Sequence, residues 1–154
     1  MLNPLSKETN VKSSLKKYFV DTLGAAVTFD TSLASPDIRT QGANALKQWY
    51  NVDFGEFGRQ ELAEYLFEIY ILSRQDAEGV KLAENTDTVF GMLVDSSMTD
   101  GMKRIPLYDV SKTPWELLGQ MVVQDIWDAP IFEVLADETK MKILSVRLRW
   151  GVAM

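Results

Sequence analysis

Any chemistry this chain performs has to be done without His and without Cys, because the sequence contains neither. The absence of His removes the commonest general base and the commonest metal ligand. The absence of Cys removes disulfides, thiolate nucleophiles and zinc–thiolate sites. Carboxylates, Lys, Tyr and Ser remain. Asp76 and Glu78 with Asp125 and Asp128 are the set that could hold Mg²⁺ in the manner of a carboxylate nuclease. Their spacing is generic, and no Lys is ordered around them. Helix capping and surface solvation account for these acids more simply. No phosphate-binding glycine loop, dinucleotide fingerprint, zinc-protease motif, CxxC pair or calcium loop occurs. The expectation is a protein that is not an enzyme and takes no cofactor and no metal.

The charge pattern carries more information than the motifs. The formal net charge is −6. From Asp53 to Asp95 ten acids stand against three bases, with Asp53, Glu56, Glu61, Glu64 and Glu68 in its first part. The ends are basic, with Lys7, Lys12, Lys16 and Lys17 near the start and Lys140, Lys142, Arg147 and Arg149 near the end. An acidic middle disfavours the clustered Lys and Arg that grip nucleic-acid phosphates. A solvated acidic face is the plain reading. A surface that stays near DNA without holding it is the sharper one.

These residues need elements to carry them. A chain of 154 residues, 46% apolar and 25% charged, suits one soluble domain. Such a domain buries roughly 70% of its unfolded surface. No apolar run reaches the ~18 residues of a membrane span. The start of the chain, MLNPLSKETN, lacks the apolar core of a signal peptide, which predicts folding in the cytoplasm of the cell that makes it.

Residues 1–9 read as a loose, polar arm. Val11–Leu23 reads as an amphipathic helix with Val11, Leu15, Tyr18, Phe19 and Leu23 on one face and Lys12, Lys16 and Lys17 on the other. Gly24 is placed to cap its end. Ala25–Phe29 is a short strand, followed by a long loop over residues 30–44. Ala45–Phe54 alternates as a half-buried strand, and Gly55 and Gly58 bracket a hairpin back to Leu62–Leu72. In that returning strand Ala63, Tyr65, Phe67, Ile69 and Ile71 form the apolar face. The other face mixes Glu64 and Glu68 with Leu66 and Tyr70. A helix over ELAEYLFEIYIL competes, but the hairpin needs a partner strand.

Asp76 is expected as the N-cap of a second helix with an apolar stripe of Val80, Ala83, Phe90, Leu93 and Val94, ending near Ser97. Ile105–Val110 is a short strand, and Pro106 puts it at a sheet edge. Trp115–Trp127 and Met141–Trp150 are the two long strands. In the first, Trp115, Leu117, Met121, Val123 and Trp127 share a face, with Gly119 marking a bulge or close approach. Pro130–Lys140 links the two strands. The sum is an α+β domain: a mostly antiparallel sheet with two helices packed on one face. The four Trp (Trp49, Trp115, Trp127 and Trp150) all fall in strands, where a Trp opposite a polar face often anchors a subunit contact.

YFVDTLG in the first helix, FEIYILSRQDAEGVKLAENTDTVFGML across the strand–helix unit and KILSVRLRW near the end together resemble the tail terminator, or tail completion, proteins of long-tailed bacteriophages. The likeness covers most of the chain. It implies a structural virion protein: a ring, usually hexameric, that caps the tail tube at its head-proximal end. Such a ring ends tube polymerisation and meets the neck or head-completion proteins. DNA would pass through its channel without specific binding, and no membrane is involved. In that setting Asp53, Glu56, Glu64 and Glu68 are candidates to face the channel. Arg147, Arg149, Trp49 and Trp127 are candidates for the subunit interface. The loops 30–44 and 130–140, with Asp37, Arg39, Asp137 and Lys140, are candidates to contact tube or neck. Another head–tail connector, neck or tail-tube subunit is the alternative within this class, and a small carboxylate-dependent metal enzyme is the alternative outside it.

Overall fold

The computed structural model describes residues 7–30, 48–57, 64–74, 76, 78–95, 97, 102–129 and 140–151. The elements run in the expected order. They are α1 (Lys7–Leu23), β1 (Val27–Phe29), β2 (Gln48–Phe57), β3 (Glu64–Ser73), α2 (Val80–Leu93), β4 (Arg104–Asp109), β5 (Glu116–Ala129) and β6 (Lys140–Gly151). A 3-10 turn, Gly24–Ala26, joins α1 to β1, and Gly24 takes φ +64, as a helix-ending glycine does. The strands form one sheet in the order β1-β2-β3-β6-β5-β4. β1 pairs with β2 in parallel, and every other pair is antiparallel. The fold is α+β, with both helices on one face of the sheet.

The core lies between that face and the helices. Val11, Leu15 and Phe19 of α1 and Leu82, Val89, Met92 and Leu93 of α2 share one core with Tyr65, Phe67, Ile69 and Ile71 of β3 and Leu144, Val146 and Leu148 of β6. An aromatic chain threads it, from Phe29 stacked on Phe54 (5.8 Å), through Tyr65 and Phe67, to Phe19 edge-on (5.9 Å). Lys12 and Lys16 do not stand on the far side of α1. They lie along its flank with their ammonium groups over Phe54 (5.5 Å) and Phe29 (5.7 Å). A cation over a ring face is an attractive arrangement, and the aliphatic stems cover apolar surface on the way.

α1 also closes a sheet edge. β4 is the last strand, as Pro106 predicts, and its outward amides need acceptors. Asn10 and Ser14 of α1 supply them. The Tyr108 amide donates to Ser14 Oγ (2.9 Å) and the Val110 amide donates to Asn10 Oδ1 (3.1 Å). Both side chains are buried. Pro106 itself has no amide to satisfy.

α1 begins at Lys7, inside the stretch expected as a loose arm, and three further expectations about local structure need correction. Asp76 is not the N-cap residue of α2; Gly79 is, with φ +74. Asp76 still serves the free amides, from three residues further out. Its Oδ2 accepts from the Leu82 amide (2.8 Å) and from the Ser73 hydroxyl (3.1 Å). The apolar stripe of α2 also differs from the expected one. Leu82, Thr86, Val89, Met92 and Leu93 are buried, whereas Val80 and Ala83 point outward, and the helix ends at Leu93 rather than Ser97.

The face of β5 also differs. Met121 and Val123 point into the core. The register against β6 then shifts between Val123 and Asp125, so Gln124 is an extra residue. That bulge moves Ile126 to the core side and Trp127 to the opposite face. A second shift against β4 falls at Leu118, next to Gly119.

Gly55 is the third correction. It lies within β2, where the pairing with β3 shifts between Phe54 and Phe57, rather than in a turn. A Cβ at this position would sit 2.3 Å from the Leu66 carbonyl oxygen, so only glycine fits.

Candidate functional site

The face of the sheet turned away from the helices gathers most of the residues singled out in the sequence. Side chains alternate across a strand, so the register decides who shares it. Asp53 of β2 is opposite Glu68 of β3. Glu68 is opposite Ser145 of β6, Leu66 is opposite Arg147, and Glu64 is opposite Arg149. On β5, Asp125 pairs with Arg147 and Trp127 with Ser145. One continuous face thus carries Asp53, Glu64, Leu66, Glu68, Asp125, Trp127, Arg147 and Arg149. The channel candidates and the interface candidates are neighbours on this surface. The side chain of Glu56 lies outside the described residues.

Arg147 is held within its own chain. Its guanidinium lies 3.6 Å from the Asp125 carboxylate and 5.0 Å from the centre of the Trp127 ring. Both contacts are partly solvated, so the ion pair adds at most about 1 kcal/mol. Their effect is to hold a large ring and a fixed cation side by side on the face. Trp127 is 45% exposed and Leu66 is 47% exposed. Trp49 differs: it is buried, with Leu72 and Met141, in a small second apolar cluster at one end of this face. Arg74 stacks over its ring at 6.0 Å. The surface of Trp49 is already used inside the chain.

The acids form a row. Asp30 follows β1 with φ +51, a left-handed conformation that Asp tolerates better than most residues. Its amide donates to the Val52 carbonyl (2.9 Å), and its Oδ1 accepts from the Phe54 amide (2.8 Å). This clasp fixes the end of β1 beside Asp53. Asp53 then has carboxylates on both sides, Asp30 and Glu68. Burial raises the affinity of Asp53 for its proton, a hydrogen bond to Asp30 raises it further, and the charges of Asp30 and Glu68 add to the effect. Asp30 is a member of the row that sequence reasoning missed, since its role depends on parallel pairing of β1 with β2. Its position after a strand and before a long loop is the only signal it leaves.

The remaining candidates are scattered. Lys140 is the first residue of β6, opposite Ser73, and belongs to a strand rather than a loop. Its charge helps hold the Asp76 carboxyl below the usual range. Burial opposes that shift, but the amides of Leu82 and Lys81 and the Ser73 hydroxyl outweigh it. Asp37, Arg39 and Asp137 lie outside the described residues, as do residues 31–44 and 130–139.

The four acids considered for Mg²⁺ do not assemble. Asp76 caps α2, Asp125 faces Arg147, and Asp128 pairs with Lys142 at 2.9 Å. Among the described residues no group of three or more acids gathers in a way that could hold a metal ion. A shallow cavity between α1 and β4 is lined by Ser14, Lys17, Tyr18, Asp21, Pro106 and Tyr108. Lys17 and Asp21 close on each other across one helical turn (2.7 Å). Among the described residues no helix is long and apolar enough to cross a membrane.

Neither a family model nor a curated protein matches this sequence. Three chains among solved structures match; one of them superposes with a TM-score of 0.59 over 96% of this chain and 97% of its own, at 7% sequence identity. At that identity the likeness concerns the fold alone.

Proposed function

We propose that this chain is a structural subunit, not an enzyme, that assembles with copies of itself into a closed ring of the tail-terminator type. The ring would cap a phage tail tube and present a surface to the neck. The observation that carries the reading is the face of the sheet that neither described helix covers. Two helices cover one side, and the other keeps Leu66 and Trp127 half-exposed among ordered charges. Exposed apolar side chains grouped on one face are a mark of a surface that another protein covers. The closed edge at β4 supports the same reading. With Asn10 and Ser14 on its amides, that edge cannot recruit another strand, so growth by edge pairing there is blocked. The sequence resemblance adds the tail setting.

Electron microscopy of the purified chain tests the proposal. Discrete rings of uniform diameter are expected. Long tubes formed by the chain alone would instead identify a tail-tube subunit. Divalent-metal binding seen by calorimetry would return a carboxylate enzyme to consideration.

A further inference from the structure

The uncovered face carries its charge in two halves. The strands on one side, β2 and β3 with the end of β1, bring Asp30, Asp53, Glu64 and Glu68. The strands on the other side, β6, β5 and β4, bring Arg149, Arg147 and Arg104; Arg104 shares the face because its neighbour Ile105 points into the core. Asp125 is the acid of the basic half, and Arg147 already engages it. Arg74 stands apart, over Trp49 at one end. Leu66 and Trp127 lie along the line between the halves, one on each side of β6. Like charges placed directly across strands repel. The row Asp30–Asp53–Glu68 therefore carries a standing cost in the isolated chain, and its own arginines lie one or more strands away.

We propose that the acidic half of one copy docks on the arginine half of the next, with Leu66 and Trp127 covered at the junction. This rests on the ring reading and names its contact. Each subunit would then offer two different complementary patches, which a head-to-tail closed ring requires. Complementary potentials also set register and exclude the wrong pairing, acid on acid. The occupant is a second copy of this chain because the face supplies both partners of the charge match.

A complementation experiment decides. One variant carries Asp53→Lys, Glu64→Gln and Glu68→Lys, which leaves Asp30 as the one acid against two Lys and makes both halves basic. The other carries Arg104→Glu and Arg149→Glu, which makes both acidic. Arg147 is left in place because it holds Asp125 and Trp127. Native mass spectrometry is run on each variant alone and on an equimolar mixture, with circular dichroism as a check on folding. Each variant alone should associate at least about 100-fold more weakly than wild type, because like charges then meet across the contact. The mixture should regain the wild-type copy number with the two variants in equal parts.

Where a charge-reversed variant loses its circular dichroism signal, the neutral pair Asp53→Asn with Glu68→Gln takes its place. That pair should weaken assembly about tenfold. Wild-type assembly by every folded variant would overturn the docking face and leave the ring standing. A wild-type chain that stays monomeric would overturn both. A wild-type dimer that needs the same charges would keep the contact and remove the ring.

Discussion

At the residue scale, two positions show how little freedom the sheet leaves. Gly55 lets β2 pass so close to β3 that a Cβ would meet the Leu66 carbonyl oxygen at 2.3 Å. The atom it would strike is backbone, so no side-chain rotation can relieve the clash. Gly55→Ala should therefore lower stability by roughly 2 kcal/mol or more in urea unfolding. An unchanged midpoint would show that the strands can part there at no cost. Because Leu66 belongs to the face that neither described helix covers, the same substitution should also weaken the proposed assembly.

Asp53 makes a prediction about pH. Burial and the neighbouring Asp30 and Glu68 raise its pKa above the ordinary 3.8 in the folded chain. A group with a raised folded pKa binds its proton more tightly when folded. Its stabilising contribution is complete below the unfolded value and is lost as pH rises through the folded value. At neutral pH Asp53 is thus a net burden on the isolated chain. Asp53→Asn should raise Tm at neutral pH and flatten the gain in Tm on mild acidification. Asp76, Asp95 and Asp109 act in the opposite sense. Burial opposes the shift at Asp76 but is outweighed there, and the Ser97 and Ser111 hydroxyls and amides hold the other two down. The comparison therefore has to be variant against wild type across pH. A lower Tm for Asp53→Asn would contradict the crowding of the three acids.

At the scale of elements, α1 performs two tasks with opposite faces of chemistry. Its apolar residues fill the core, and Asn10 and Ser14 satisfy the amides of the edge strand β4. Removing either acceptor leaves a buried amide unpaired, at about 1–3 kcal/mol. The double variant Asn10→Ala with Ser14→Ala should lose about 2–4 kcal/mol. It should also aggregate more readily through the opened edge, as light scattering would show. Loss of stability without aggregation would mean that α1 still shields the strand by bulk alone.

What the sequence makes legible at this scale follows from periodicity. The alternation of Tyr65, Phe67, Ile69 and Ile71 reads correctly because β3 is central and regular. Pro106 marks an edge for the simple reason that it cannot donate. The stripe of α2 is misread because its apolar residues outline two overlapping faces: Val80 and Ala83 suggest one, whereas Leu82, Val89 and Met92 lie on the one that is buried. β5 is misread beyond Val123 because one extra residue, Gln124, inverts the faces, and nothing in the local composition announces it. The candidate site depends on strand order. Acids of β2 and β3 and arginines of β6 are distant in sequence, and only the pairing of β3 with β6 places them on one surface.

At the scale of the whole molecule, the described residues give the curled sheet one finished side, under the two helices, and one side that neither helix covers, the unfinished one. The finished side holds nearly all of the large buried residues. The unfinished side holds a small cluster around Trp49, a divided charge pattern and two half-exposed apolar residues. The proposed ring would cover that side on every copy at once. Native mass spectrometry of the purified wild-type chain across a range of concentrations tests this most directly. A single closed species, with six copies as the resemblance implies, is the predicted result. A chain that remains monomeric at every concentration, or that grows without limit into tubes, would contradict it.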